Sequence, residues 1–286
     1  VTRPRRATDA AFLFSVPLTV GLVLAAQSLD GGSLQMLVQP SAALIVFGGT
    51  ALAVLFSFPL ALLARTGRAL LSAFGRRPES DTVLLARMAD YASRARARGA
   101  LSLESEMARH DDPFLVRALS LLVDGVPAAD VRHTLKTFSQ VREEADAECA
   151  LVLEAAGGYA PTLGILGAVL GLIHALERIT SPAAVGPGIA VAFVATVYGV
   201  GAANLVFLPL ATRLRSLGRQ AALNREVVIE GAVAIQQGVH PSLVDGHLRS
   251  LLVAWHGVPR AEAAAGSAPR GEGPSGQAPR ARLVKS

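Results

Sequence analysis

Charge disappears from this chain in four long runs. No Asp, Glu, Lys or Arg occurs over 10–29 or over 31–64, and a polar turn (Asp30, Gly31, Gly32, Ser33) separates two apolar stretches there. Further uncharged, Gly-rich runs cover 155–176 and 187–212, divided by the segment 177–186. At about 1.5 Å per residue, about 20 apolar residues cross the hydrocarbon core of a bilayer. The pattern therefore predicts spanning helices over 10–29, 40–64, 155–178 and 187–212, arranged as two hairpins with an insertion between them.

The insertion, 65–154, changes to the period of water-soluble helices. Leu84, Leu85, Met88 and Ala92 recur at helical spacing, with Gly99 as a stop. A second helix starts at Asp112 and Pro113, where the carboxylate can accept from orphan N–H groups and proline occupies the tolerated first position; Gly125 closes it. A third follows Pro127. Its stripe of Val131, Leu135, Phe138 and Val141 leads through Glu143, Glu144, Asp146 and Glu148 directly into the third span. After the fourth span, 213–257 continues as helix through Gly238, Leu243, Leu248, Leu251 and Leu252. The Pro, Gly, Ala, Ser and Arg mixture of 258–286 reads as a disordered tail. The fold class is all-α: a polytopic membrane protein with four transmembrane helices and a helical cytoplasmic domain.

Composition strengthens the membrane reading. Only 17% of the 286 residues are charged and the mean hydropathy is +0.44, whereas a soluble domain carries about 25% charge. Aromatic content of 5% with abundant Ala, Leu, Val and Gly suits close-packed helices rather than a barrel. The net charge of +5 is nearly all arginine, and its placement sets orientation. Arg3, Arg5 and Arg6 precede the first run; Arg65, Arg68, Arg76 and Arg77 follow the second; Arg213, Arg215 and Arg219 follow the fourth. By the positive-inside rule both termini and the insertion are cytoplasmic, and the resemblance described below implies a bacterial inner membrane. The first run is too long for a secretory signal and has no small-residue cleavage site, so it reads as an uncleaved span.

Candidate chemistry inside the spans is sparse. Within the uncharged runs His174, one turn before Glu177 and Arg178, stands out as the single histidine, and it reads as a polar tip at the membrane surface. A chain that moves ions needs a carboxylate or its equivalent near the midplane, so either this chain moves none or a partner supplies the acid. The lone Cys149 and the scattered histidines give no disulfide and no metal spacing. No nucleophile with a base is visible, so neither an enzyme, a cofactor nor a nucleic-acid partner is expected. Gly199-Val-Gly201 lacks a preceding strand and meets Asn204 where a dinucleotide fingerprint needs glycine. Gly164, Gly167, Ala168 and Gly171 share one helical face and permit close helix packing. Pro161 and Pro209 fall near the cytoplasmic membrane surface, as kinks or hinges. Ala168 and Thr196 come to similar depth on antiparallel helices.

Taken together, Tyr159-Ala-Pro-Thr-Leu-Gly-Ile-Leu-Gly-Ala-Val-Leu-Gly-Leu-Ile173, Gly188-Ile-Ala-Val-Ala-Phe-Val-Ala-Thr-Val-Tyr-Gly199 and Pro209-Leu-Ala-Thr resemble the MotA/PomA family of flagellar stator proteins. The resemblance extends to 40–50, 95–104, 114–125 and 225–238, leaving out only the tail. It implies a pentameric ring around a MotB-like single-span partner whose aspartate binds the ion, with torque passed to the rotor protein FliG. On that resemblance Arg96 and Glu104 are rotor contacts, with Arg94 and Arg98 as neighbouring candidates for the arginine. Pro161 and Pro209 match prolines tied to conformational change. Thr196 lies beside the ion path, and Ala168 and Ala195 stand where sodium-driven members carry threonines. Sodium needs several oxygen ligands whereas a proton needs one basic site, so fewer hydroxyls point to protons. The related ExbB/TolQ group, which energises outer-membrane transport, has three spans, and a non-conducting membrane scaffold is the alternative from another class.

Overall fold

The computed structural model describes residues 37–75, 80–177 and 182–257, together with scattered positions between 17 and 29. The first apolar run lies largely outside the described residues, as do the turn at 30–33, most of the turn after residue 177, the arginines at 3, 5, 6, 76 and 77, and the tail from 258. The described elements are all helical. They are α1 (Pro40–Ser57), α2 (Leu60–Gly75), α3 (Asp81–Arg98), a 3-10 turn (Ala100–Leu103) leading into α4 (Glu104–Met107), α5 (Pro113–Val123), α6 (Ala128–Glu177), α7 (Pro182–Gly201), α8 (Leu208–Gln236) and α9 (Pro241–Gly257). Three stretches are long and apolar enough to cross a membrane: Pro40–Ser57, Ala128–Glu177 and Val185–Gln236.

The second span departs from the sequence expectation. It stops at Ser57, Phe58 is extended at φ −131° and ψ 144°, and a new helix starts at Leu60. Proline has no N–H for the ladder and its ring disfavours helical backbone at the residue before it, so Pro59 ends α1. Residues 60–64, read above as membrane span, open α2 instead. That helix carries Arg65 and lies along α6: the Arg65 Nη2 donates to the Ala145 carbonyl at 2.8 Å and to Glu148 Oε2 at 2.6 Å.

Two long rods organise the rest. The 50 residues of α6 extend about 75 Å at 1.5 Å per residue. They join the soluble and apolar parts without a break, as the stripe running into the third span suggests. Antiparallel to it, α7 passes through a wide π-type turn (Ala202–Phe207) into α8. At that turn the Leu208 N–H reaches the Ala203 carbonyl five residues back. Pro209, which has no N–H, follows directly, so the ladder is widened where the proline would otherwise crowd it.

The soluble core forms around the polar ends of these rods. Tyr91, Met88, Leu119, Leu122, Leu135, Leu223, Ile229 and Leu248 are nearly inaccessible, joining α3, α5, α8, α9 and the start of α6. Asp112 caps α5 by accepting from the Phe114 N–H at 3.0 Å. Gly99 and Gly125 end α3 and α5 at φ +81° and +68°, backbone that residues with a Cβ rarely adopt.

Candidate functional site

The membrane part is built on an unusually close crossing of α6 and α7, and small residues make it possible. A Cβ on Gly199 would lie 2.6 Å from the Ala160 carbonyl oxygen, and one on Gly164 would lie 2.9 Å from that of Ala195. On Gly167 it would meet the Ala195 Cβ at 2.9 Å, and on Gly171 the Ala192 nitrogen at 2.8 Å. All three packing glycines named from the sequence are buried along this seam. The seam fixes the antiparallel register, with Gly164 beside Ala195 and Thr196, Gly171 beside Ala192, and Gly188 beside Ala175.

That register places Ala168 and Thr196 within about one turn of each other in depth. Both are half-buried in the single chain. The Thr196 hydroxyl donates to its own helix, at 3.4 Å from the Ala192 carbonyl, which is long for an O–H···O bond. Thr196 also lines a strongly apolar groove between α1 and α7 with Leu37, Phe47, Tyr198 and Leu205. Ala195 does not share that setting: it is fully buried in a small cluster with Ala42, Val46 and Val194. Within one chain its methyl packs α7 against α6 and α1.

Pro161 and Pro209 border the same seam. The Cβ built on Gly199 falls 3.1 Å from the Pro161 Cα, and the one on Gly157 falls 2.8 Å from Leu208 Cδ2. The two prolines thus flank one stretch of contact between α6 and the α7–α8 rod, at the end nearer the soluble core. His174 is exposed, with Nδ1 3.3 Å from the Leu170 carbonyl.

Several polar groups here escaped the sequence reading. The Tyr198 hydroxyl donates to the Leu37 carbonyl and accepts from the Gln39 N–H at 3.3 Å, holding the start of α1 against α7. At the other end of α1, Ser57 and Tyr159 share a hydrogen bond of 3.0 Å. A tyrosine in an apolar run needs a partner for its hydroxyl, and that was the available signal. Asn204 is exposed within the wide turn, its amide donating to the Val200 carbonyl at 3.0 Å.

Below the membrane, arginines of α2 and α8 meet the acidic stretch of α6. Arg215 pairs with Glu154 at 2.5 Å, Arg225 with Asp146 at 3.6 Å, and Arg132 of α6 makes a two-pronged pair with Glu230 of α8. Arginines that follow the apolar runs therefore tie the rods together.

The four charged positions around the α3–α4 turn separate into two environments. Arg96, Arg98 and Glu104 are exposed, and Arg96 Nη1 donates to the Gly238 carbonyl at 2.8 Å, at the end of α8. Arg94 is turned inward. Its Nη1 donates to Glu106 Oε1 at 2.9 Å, its Nη2 pairs with Asp90 at 2.7 Å, and its guanidinium stacks over the Tyr91 ring at 5.3 Å. Glu106 is 7% exposed and also accepts from Arg109 Nη1 at 2.9 Å. The hydrogen bond from Arg94 holds its carboxyl below the usual carboxylate range despite burial, so it is charged at neutral pH. Burial pushes Tyr91 up to about 12, and its hydroxyl meets His110 Nε2 at 2.7 Å.

Residues 106–227 match the MotA/TolQ/ExbB proton channel family. Among curated relatives, chemotaxis protein PomA of Vibrio alginolyticus is 35% identical over 78% of this chain and 87% of its own length. Motility protein A of Bacillus subtilis (strain 168) is 34% identical over 84% of this chain and 87% of its own. The chain belongs to the MotA/PomA family. Solved structures agree with the sequences. The structure of C. jejuni MotAB superposes with a TM-score of 0.80 at 28% identity, covering 85% of this chain and 96% of the other. The flagellar MotAB stator complex from Bacillus subtilis gives 0.76 at 29% identity, covering 89% and 98%. MotA/PomA membership accounts for long apolar helices that run on into a helical soluble part.

Proposed function

We propose that this chain is the ion-conducting stator subunit of a bacterial flagellar motor, working as several copies around a MotB-like partner and turning ion flow into torque. The observation that carries the proposal is its likeness over nearly the whole length of chains solved as MotAB stator complexes. The membrane part supports it physically. Among the described residues, no carboxylate lies within the apolar stretches of α1, α6 and α7, so an ion path through this chain takes its acid from another. The arginine pattern supports an orientation with both termini cytoplasmic.

Protons are the proposed ion. Position 168 carries a methyl, and the Thr196 hydroxyl is the nearby side-chain oxygen on the α6–α7 seam, too few oxygens to replace sodium's hydration shell. The exposed trio Arg96, Arg98 and Glu104 is the proposed surface for the rotor protein FliG, while Arg94 is engaged internally. The test is swimming of a stator-deficient cell that expresses this chain with its MotB-like partner. Swimming should persist without sodium and stop with a proton uncoupler. A strict sodium requirement would overturn the ion assignment, and a stable complex that neither swims nor leaks ions would overturn the stator assignment.

A further inference from the structure

We infer that Glu106 is a positioning residue for torque transfer: its buried carboxylate, clamped by Arg94 and Arg109, sets how the exposed charges of the α3–α4 turn are presented to the rotor. The inference rests on the reading of Arg96 and Glu104 as rotor-facing residues and names what holds them in place.

Arg96 lies in the last turn of α3, and Glu104 opens α4 after the turn at Gly99 and the 3-10 segment Ala100–Leu103. The backbone alone ties these two positions loosely. The Gly99 N–H bonds to Ala95 at 2.9 Å and the Ser102 N–H to Gly99 at 3.1 Å, with the Ser102 hydroxyl adding a bond to the Gly99 carbonyl at 2.7 Å. Such turns open readily unless side chains close them. Leu103 supplies one closure, being fully buried. Glu106 supplies the directional one. A single oxygen, Oε1, takes bonds from Arg94 on α3 and from Arg109 beyond α4, so three consecutive pieces of chain converge on it.

Arg94 is itself held from three sides, by Glu106, by Asp90 and by the face of Tyr91. The planar guanidinium fixes direction as well as distance, which a lysine at this position would not do. Tyr91 is anchored in turn through its hydroxyl to His110. The chain of contacts runs from the core of α3 to residue 110 and encloses the segment bearing Glu104. Arg96, two residues beyond Arg94, points outward with one donor on the Gly238 carbonyl, so the turn between α8 and α9 shares the same support. A buried carboxylate is costly to desolvate, and the two arginines offset that cost in a geometry that fixes its direction.

The experiment compares E106Q with R96E and E104R in the complex with the MotB-like partner. Membrane level, ion leak and stall torque are read in each. Spin labels at Ala97 and Ser105, both exposed, report the spacing across the turn. E106Q should keep membrane level and ion leak while lowering torque at least about threefold and broadening the label distances, and the exchanged pair R94E with E106R should recover part of both. Normal torque and an unchanged distance distribution in E106Q, alongside torque loss in R96E or E104R, would overturn the positioning role and leave the rotor surface standing. Unimpaired torque in R96E and E104R would instead overturn the rotor-surface reading itself. If E106Q lowers membrane level, the label distances in the remaining complex decide: an unaltered spacing overturns the proposal.

Discussion

At Gly199 a single methyl group decides whether α6 and α7 can touch. The atoms around its missing Cβ are the Ala160 oxygen at 2.6 Å, the Gly164 Cα at 3.0 Å and the Pro161 Cα at 3.1 Å. All are backbone, so no side chain can swing away, and the helices themselves would have to part. Overpacking of this kind costs about 1–3 kcal/mol. Gly201, two residues on, has nothing within 4 Å of its Cβ position. G199A should therefore lower the melting temperature of the purified complex while G201A leaves it unchanged or raises it, since alanine is the better helix former. Equal behaviour of the two would contradict the register of the seam. The same logic separates three of the four arginines of α3. Arg94, Arg96 and Arg98 alternate with small residues, yet of these three only Arg94 meets a buried carboxylate.

At the scale of elements, prolines mark both the ends and the irregularities of helices, and context decides which. Pro59 ends α1 because Phe58 adopts extended backbone and nothing on the far side continues the ladder. Pro161 sits inside α6 without ending it, packed against the Gly199 backbone of α7. Pro209 follows the wide turn that shifts hydrogen bonding by one residue. If these two sites allow the rods to flex as ions pass, restoring an N–H at either should stiffen them. P161L and P209L are expected to retain membrane level and partner binding but to lose most torque, measured by tethered-cell rotation. Full rotation at normal protein level would show that both are static features of the helices.

For the whole molecule, what stands out is how much apolar surface one copy leaves uncovered. Ile165, Val169, Leu172 and Leu176 on α6 are 60%, 49%, 46% and 65% exposed, and Phe193 on α7 is 69% exposed. Phe56 on α1 reaches 97%. Lipid tolerates such faces, since tails are as apolar as leucine. The small-residue seam, by contrast, is consumed inside the chain. On the proposed assembly, copies meet through these larger side chains, packing by shape. The chain co-expressed with its MotB-like partner should cross-link in detergent as a ladder ending at five copies, and a ladder ending at one or two would contradict the ring. On the proposed ring, movement at the membrane end of α6 reaches the soluble core along one helix, whose ladder lacks a bond at Pro161, and through the Arg–carboxylate ties of α2 and α8.

Local signals in the sequence were enough for the helical class, the cap at Asp112, the stops at Gly99 and Gly125, the unbroken passage of α6 into the membrane and the glycines able to pack closely. Each depends on residues within a turn or two: apolar runs, periodicity, and backbone preferences of Gly, Pro and Asp. The end of α1 at Pro59 was also locally encoded, but the uninterrupted apolar run masked it. What only tertiary structure decided involves partners far apart in sequence. Tyr198 finds Leu37, Arg132 finds Glu230, Ala195 turns inward to Gly167, and Glu106 rather than Glu104 captures Arg94. Local sequence treats those two glutamates, and those three arginines, as nearly equivalent; packing of α4 onto α3 buries one carboxylate and leaves the other in solvent, and an ion pair forms where desolvation leaves the charge no better partner.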